Sequence, residues 1–184
     1  GTGAAPPSFA DHVALPFYNA FAQVYNLFLE HRLTDKIVFV ASGKLGLPAN
    51  AARAFAMGAD VINVAREAMM SIGCIQAQIC HTNRCPSGIA TQKKWLQNGI
   101  DVPLKSERFN NYVKYFRKEL LELSHASGYE HPCQLKMEDI ETMTDDHHQL
   151  HSLEQLYGYR KQPVKFKGMQ ELYDCIHLGR KADS

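Results

Sequence analysis

The residues best equipped for chemistry lie between Cys74 and Pro86, where three thiols, Cys74, Cys80 and Cys85, stand six and then five residues apart. No pair forms Cys-x-x-Cys. A structural zinc site wants four tetrahedral ligands, so zinc here has to recruit His81 or a more distant residue. Three thiolates suffice where each iron of a three-iron cluster takes one protein sulfur, and thiolate is the ligand such clusters use. Spacing alone leaves three readings open: an iron–sulfur site, a zinc site, or unligated thiols. The total of five cysteines is odd, which speaks against a disulfide framework and for metal or redox work in the clustered three. Cys133 and Cys175 stand alone and read as small hydrophobes.

A second pair of segments, Val40-Ala41-Ser42-Gly43-Lys44 and Val64-Ala65-Arg66, ends two short apolar runs. In (β/α)8 barrels the last two strand-to-helix loops commonly hold a phosphate with backbone N–H groups and a helix amino terminus. Gly43 permits close approach, and Lys44 and Arg66 bring positive charge; alternatively Gly43 only turns the chain and both cations are solvated. Gly43-Lys44 is no Walker A loop, because Val38 stands at the first glycine position and Leu45 where Ser or Thr should follow. His147, His148 and His151, preceded by Asp145 and Asp146, lie in a polar segment without a cysteine and read as solvated surface.

These groups need elements to position them. The stretch 1–7 has no apolar periodicity and reads as a loop. From about 16 to 30, Phe17, Phe21, Val24, Tyr25, Phe28 and Leu29 recur at helical intervals and predict a packed helix. The unalternating run 37–41 predicts a parallel strand buried on both faces. An alanine-rich helix follows over 48–57, with Pro48 at its start and Gly58 at its end, and then a second such strand over 61–65. Strand, helix, strand is a right-handed parallel crossover. A third helix is expected over 66–78, carrying Cys74 near its last turn. Ser106 is expected to cap a helix whose stripe runs from Phe109 through Tyr112, Val113, Phe116 and Leu120 to Leu123, stopping at Gly128. Short helices are expected over 137–143 and 170–177. Two parallel strands cannot bury their own faces and edges, so the fold reads as incomplete.

Composition narrows the function classes. Of 184 residues, 45% are apolar and 21% charged, enough for a globular core. A net charge of +1 with dispersed cations leaves no footprint for nucleic acid or an anionic membrane. No run approaches the roughly 18–20 apolar residues of a membrane span, and the opening residues are unlike a signal peptide, so a cytoplasmic location is expected.

Four segments together resemble the FMN-binding, iron–sulfur domain of the glutamate synthase family, including its short members that lack the glutaminase part. They are Gly1-Thr2-Gly3-Ala4-Ala5-Pro6, Ala41-Ser42-Gly43-Lys44, Gly58-Ala59-Asp60, and above all Gly73-Cys74 with Cys80-His81-Thr82-Asn83-Arg84-Cys85-Pro86-Ser87-Gly88-Ile89-Ala90-Thr91-Gln92. The resemblance extends from Gly1 to about Gly128 and is faint beyond. It implies an α/β fold, the carboxy-terminal part of a (β/α)8 TIM barrel contributing its last two strands, then a cysteine loop and a helical tail. Residues 1–92 would form the barrel segment and 93–184 a mainly helical extension.

The same resemblance implies FMN at the carboxyl ends of the strands, with Ser42, Gly43, Lys44, Ala65 and Arg66 at its phosphate. It makes Cys74, Cys80 and Cys85 the ligands of a 3Fe-4S cluster. Electrons would pass from cluster to flavin, and the flavin would reduce 2-iminoglutarate, formed from 2-oxoglutarate and ammonia, to glutamate. In place of the glycine-rich turn that the large enzymes carry after the eighth strand, this chain has Val64-Ala65-Arg66. The amino-terminal half of the barrel, with its isoalloxazine and oxoglutarate contacts, would come from the same protein or an associated fragment, alongside an electron donor and ammonia or glutamine. No catalytic side chain is singled out, and Gly1 offers no amino-terminal cysteine for glutaminase chemistry. The alternatives are a related amine-handling FMN enzyme and a non-catalytic module using the cysteines for zinc or a subunit contact.

Overall fold

The computed structural model describes residues 5–143 and 149–159. The expectations for 1–4, for Asp145, Asp146, His147 and His148, for Cys175 and for a helix over 170–177 fall outside those residues.

After a short helix α1 (Pro7–His12), inside which the expected opening loop already ends, comes α2 (Phe17–Glu30). Its buried face carries Ala22, Tyr25 and Leu29, whereas Val24 points outward. The aromatic members of that face close on Phe39, with Tyr25 at 4.7 Å, Phe28 at 5.6 Å and Phe21 at 5.9 Å between ring centroids. Such contacts hold the helix against the chain as it enters β1 (Val40–Ser42).

β1 pairs in parallel with β2 (Val61–Asn63), Val40 opposite Val61 and Ser42 opposite Asn63. Both strands are shorter than the apolar runs predict. At the entry, Phe39 donates its N–H to the Asp60 carboxylate at 2.7 Å, so a side chain takes the place of a ladder bond. Between the strands lies α3 (Pro48–Ala56), with Pro48 in its first turn and Ala51, Ala54 and Ala56 fully buried. Gly58 ends it at φ +103°, where a Cβ would sit 2.6 Å from the Tyr25 ring. Ala41, Leu45, Ala54 and Ala59, with Phe17 and Phe21 against them, cover one face of the sheet. The other face is bare: Val40 is 55% exposed, and Ser42 and Asn63 face outward beside it. The strands are therefore covered on one face, not two, because the described chain packs nothing on the second.

The third helix, α4 (Arg66–Ser71), stops well short of 78. Gly73 turns left-handed at φ +105° and the Cys74 N–H reaches back to the Met69 carbonyl, a glycine C-cap that leaves Cys74 beyond the helix. A single-turn helix α5 (Lys94–Gln97) precedes the long α6 (Val102–Ala126). The cap of α6 is Asp101, which accepts from the Leu104 N–H at 3.0 Å; Ser106 lies inside the helix, since Pro103 is at home in a first turn. Of these apolar positions Leu120 is buried, while Phe109, Val113 and Leu123 stay partly in solvent.

Leu120 joins Ala51, Phe55 and Met57 of the α3 region and Leu135 and Leu153 of the last described segment in the main core, where Cys133 is also buried. Residues 137–143 form a 3-10 turn (Met137–Asp139) and then β3 (Glu141–Met143), not a helix. β3 pairs antiparallel with β4 (Leu150–Ser152), Thr142 opposite His151, so His151 is a half-buried strand residue and not free surface. α7 (Leu153–Tyr157) follows, capped by Ser152. The Arg53 guanidinium donates to the Thr142 hydroxyl and ties this hairpin to α3. Among the described residues the architecture is mixed α/β with two small sheets, and no helix is long and apolar enough to cross a membrane.

Candidate functional site

The parallel register brings the two strand-end loops together. Ser42 lies directly opposite Asn63, so the turn Gly43–Gly46 and the link Val64–Ala65 leave the sheet side by side. The first turn of α3 begins at Leu47 without any side-chain cap, which leaves early amides without a local acceptor. Lys44 is exposed in a left-handed conformation at φ 58°, and Asn50 donates to its carbonyl at 3.2 Å. Arg66 opens α4, half-buried; both cations also engage groups of the chain itself.

Three neighbours fix this turn. A Cβ on Gly43 would lie 2.7 Å from that of Phe17, so the missing side chain is used by α2. A Cβ on Gly46 would meet Glu67 at 2.5 Å. The Tyr112 hydroxyl, from α6, donates to the Gly46 carbonyl at 2.7 Å. Burial first, and then the Glu67 charge, push the Tyr112 phenol above its ordinary pKa. Glu67 Oε2 is itself buried without a hydrogen-bond partner.

The cysteine segment is built differently, from contacts within itself. Asn83 adopts the left-handed conformation at φ 59°, a region that asparagine tolerates better than most residues. Its side-chain carbonyl accepts from the Thr91 hydroxyl at 2.8 Å and the Gln92 N–H at 2.7 Å, closing the loop between them. Thr91 is buried, and its carbonyl accepts from the Gln97 side chain at 2.7 Å, which docks α5 on the loop. Gly88, at φ +78°, lies so close under α5 that a Cβ would be 2.5 Å from the Leu96 carbonyl.

Inside this loop Cys85 is 6% exposed, with the Ser87 hydroxyl 3.3 Å from its sulfur. Burial pushes the Cys85 thiol up, but the Ser87 hydroxyl and the amides of Ala90, Ser87 and Ile89 outweigh it and hold the group below the ordinary thiol range. Cys74 is half-buried and accepts from the Gln76 N–H at 3.4 Å. Cys80 is half-buried at the start of a 3-10 turn (Cys80–Thr82), and His81 beside it is exposed. Over Gly73 lies the Lys105 ammonium of α6, 2.8 Å from where a Cβ would be. Among the described residues no three Cys, His, Asp or Glu side chains meet closely enough to grip one ion. In kind the donors suit an anionic iron–sulfur group, since sulfurs that accept N–H and O–H bonds are favoured as thiolates.

Sequence reasoning named the three cysteines and both strand-end loops; it quoted Asn83, Ser87 and Thr91 only within the family motif and Tyr112 only within an apolar stripe, and gave none of the four a role. An asparagine just before a Cys-Pro turn was a readable signal for Asn83. The partners of Tyr112 and Thr91 depend on tertiary packing, which local pattern does not carry.

Comparison with known proteins identifies the family. The family profile described as a conserved region in glutamate synthase matches residues 1–130. A glutamate synthase large subunit-like protein of Bacillus subtilis is 40% identical over 146 residues, covering 79% of this chain and 28% of that protein. The archaeal glutamate synthase [NADPH] of Methanocaldococcus jannaschii is 38% identical over 128 residues, covering 70% of this chain and 25% of its own length. A ferredoxin-dependent glutamate synthase of Pyropia yezoensis is 35% identical over 130 residues, covering 70% of this chain and 8% of that protein. The chain thus spans between 8% and 28% of the length of these relatives. Both strand-end loops and the whole cysteine loop fall inside the matched region, and the chain belongs to the glutamate synthase family.

Proposed function

We propose that this chain supplies the carboxy-terminal part of a (β/α)8 barrel, its last two strands, to a cytoplasmic oxidoreductase of the glutamate synthase type. The reaction is the reduction of 2-iminoglutarate, formed from 2-oxoglutarate and ammonia, to L-glutamate. Residues 1–92 carry both candidate loops, and 93–184 form the extension whose α6 braces them through Tyr112 and Lys105.

The observation that carries this reading is the nearly buried Cys85 sulfur with the Ser87 hydroxyl against it, within the region matched by the family. A single tetrahedral zinc needs four donors meeting at one point. A three-iron, four-sulfur cluster takes one thiolate per iron, and Cys74, Cys80 and Cys85 supply that number of thiols. When bound, the cluster and FMN supply electron storage and hydride delivery. The chain's own residues hold and orient. Cys74, Cys80 and Cys85 provide thiolates, and the amides around Cys85 offset their charge. Ser42, Gly43, Lys44, Ala65 and Arg66 receive the flavin phosphate, chiefly through backbone N–H groups beside the uncapped start of α3.

A barrel of this kind takes about 250 residues. The bare face of the β1–β2 sheet and its unpaired edges call for the remaining strands, which bring the isoalloxazine and oxoglutarate contacts. An electron donor completes the cycle; the relatives are named for NADPH and for ferredoxin. The test is the absorption spectrum of the complete polypeptide purified anaerobically, with iron and acid-labile sulfide measured on the same sample. Flavin bands on a broad iron–sulfur background are expected. A colourless protein containing zinc would overturn the reading.

A further inference from the structure

Of the three clustered cysteines, Cys85 alone has a side-chain hydroxyl against its sulfur. The N–H groups of Ser87, Ile89 and Ala90 also favour the thiolate, but they belong to the backbone and persist whatever side chains are attached. Ser87 is therefore the position at which the amino-acid sequence adjusts the electrostatics of this ligand. Its placement is tightly determined. Gly88 next to it is wedged under the Leu96 carbonyl, and the Asn83–Thr91 clamp closes the loop on both sides.

An iron–sulfur group gains negative charge when it is reduced, and that charge spreads onto its ligand sulfurs. A donor aimed at such a sulfur stabilises the reduced state more than the oxidised one and raises the reduction potential. Resting on the function proposed above, we propose that Ser87 is a tuning residue: its hydroxyl, donated to Cys85 Sγ, raises the potential of the iron–sulfur group held there. One electron enters on reduction, and no bond to the protein is made or broken.

The experiment uses the complete polypeptide, cluster-loaded and anaerobic, as wild type, Ser87→Ala and Ser87→Thr. Iron and sulfide content is measured first, and each protein is then titrated with dithionite against redox mediators while absorbance is followed. Equal cluster content in all three is expected, with a lower midpoint for Ser87→Ala. Held at the wild-type midpoint, its reduced-to-oxidised ratio should fall severalfold, up to about tenfold, the scale of one ordinary hydrogen bond. Ser87→Thr keeps the hydroxyl and should titrate like wild type. An unmoved midpoint in Ser87→Ala, or an equal shift in Ser87→Thr, would overturn the tuning role. So would loss of the cluster in Ser87→Ala, which would make the hydroxyl a holding group. A wild-type protein without iron and sulfide would instead defeat the function reading on which this one rests.

Discussion

The two candidate loops lie in the same chain and are stabilised in opposite ways. The cysteine loop is closed by its own neighbours, Asn83 bonded to Thr91 and Gln92 eight and nine residues away. The strand-end loops are held from far along the chain, by Phe17 under Gly43 and by Tyr112 on Gly46 across 66 residues. Their sheet also has an uncovered face. A locally closed loop carries its geometry with it, whereas a site assembled by distant elements is only as good as everything that supports it.

The strongest way to break this comparison is at the thiols. Changing Cys74, Cys80 or Cys85 to Ser should abolish the cluster entirely, because serine oxygen is a poor substitute for thiolate at iron. Cys133→Ser should keep the cluster and instead lower thermal stability, since it puts a hydroxyl into the main core. Iron and sulfide analysis with a melting curve separates the two outcomes, and a full cluster in Cys80→Ser would contradict the ligand assignment.

Completeness gives the next largest effect. On the function proposed above, the 184-residue chain alone should bind FMN more weakly than the complete polypeptide does, because the proposed phosphate loops would lack the rest of a preorganised barrel. Self-association is expected as well, since the bare sheet face exposes apolar surface such as Val40. Flavin fluorescence titration beside size-exclusion light scattering measures both, and tight stoichiometric binding by a monomer would remove the contrast between the two regions.

How much was legible in the sequence follows the same division. The helix from Phe17 could be read from its helical period, the helix from Pro48 from the alanines between Pro48 and Gly58, and both parallel strands from their unbroken apolar runs. The end of α4 was misread because the apolar spacing runs on through Ile72 and Ile75, while Gly73 has already turned the backbone left-handed. The segment 137–143 was read as helix, yet Glu141–Met143 pairs with Leu150–Ser152, and only that partner makes it a strand. The cysteine triplet stood out by residue type alone. That Gly43 makes room for Phe17 did not, since a glycine after a strand looks the same whether it admits a ligand or an aromatic ring.

Glycine substitutions sharpen that point. Gly88→Ala forces a side chain into a left-handed site facing a backbone carbonyl and should cost about 1–3 kcal/mol by strain alone, with no neighbouring substitution able to relieve it. Gly43→Ala should cost a similar amount, about 1–3 kcal/mol, by overpacking against Phe17. That cost should shrink in a Phe17→Ala background, because two of the three crowding atoms are then gone. A double-mutant cycle read by urea denaturation should give a coupling of about 0.5 kcal/mol or more for Gly43 with Phe17. Strict additivity would mean that Gly43 is not held by that contact.

The smallest effects test whether the regions are independent. Tyr112→Phe removes one hydrogen bond to the Gly46 carbonyl and should cost about 0.5–1.5 kcal/mol of stability. On the function proposed above, in the complete polypeptide it should weaken flavin binding a few fold, because the turn Gly43–Gly46 loses one of its three restraints, while cluster content stays the same. Asn83→Ala should do the reverse. It strips the Thr91 hydroxyl and the Gln92 N–H of their shared acceptor and frees a left-handed residue to relax, so cluster content or its lifetime in air should fall while flavin affinity holds. The two variants are measured side by side for bound flavin and for iron. If Asn83→Ala loosened flavin as much as Tyr112→Phe, the loops would be one mechanical unit, joined through α6, which touches both by way of Tyr112 and Lys105. If each variant moves only its own readout, α6 is a passive brace and the two sites can be altered separately.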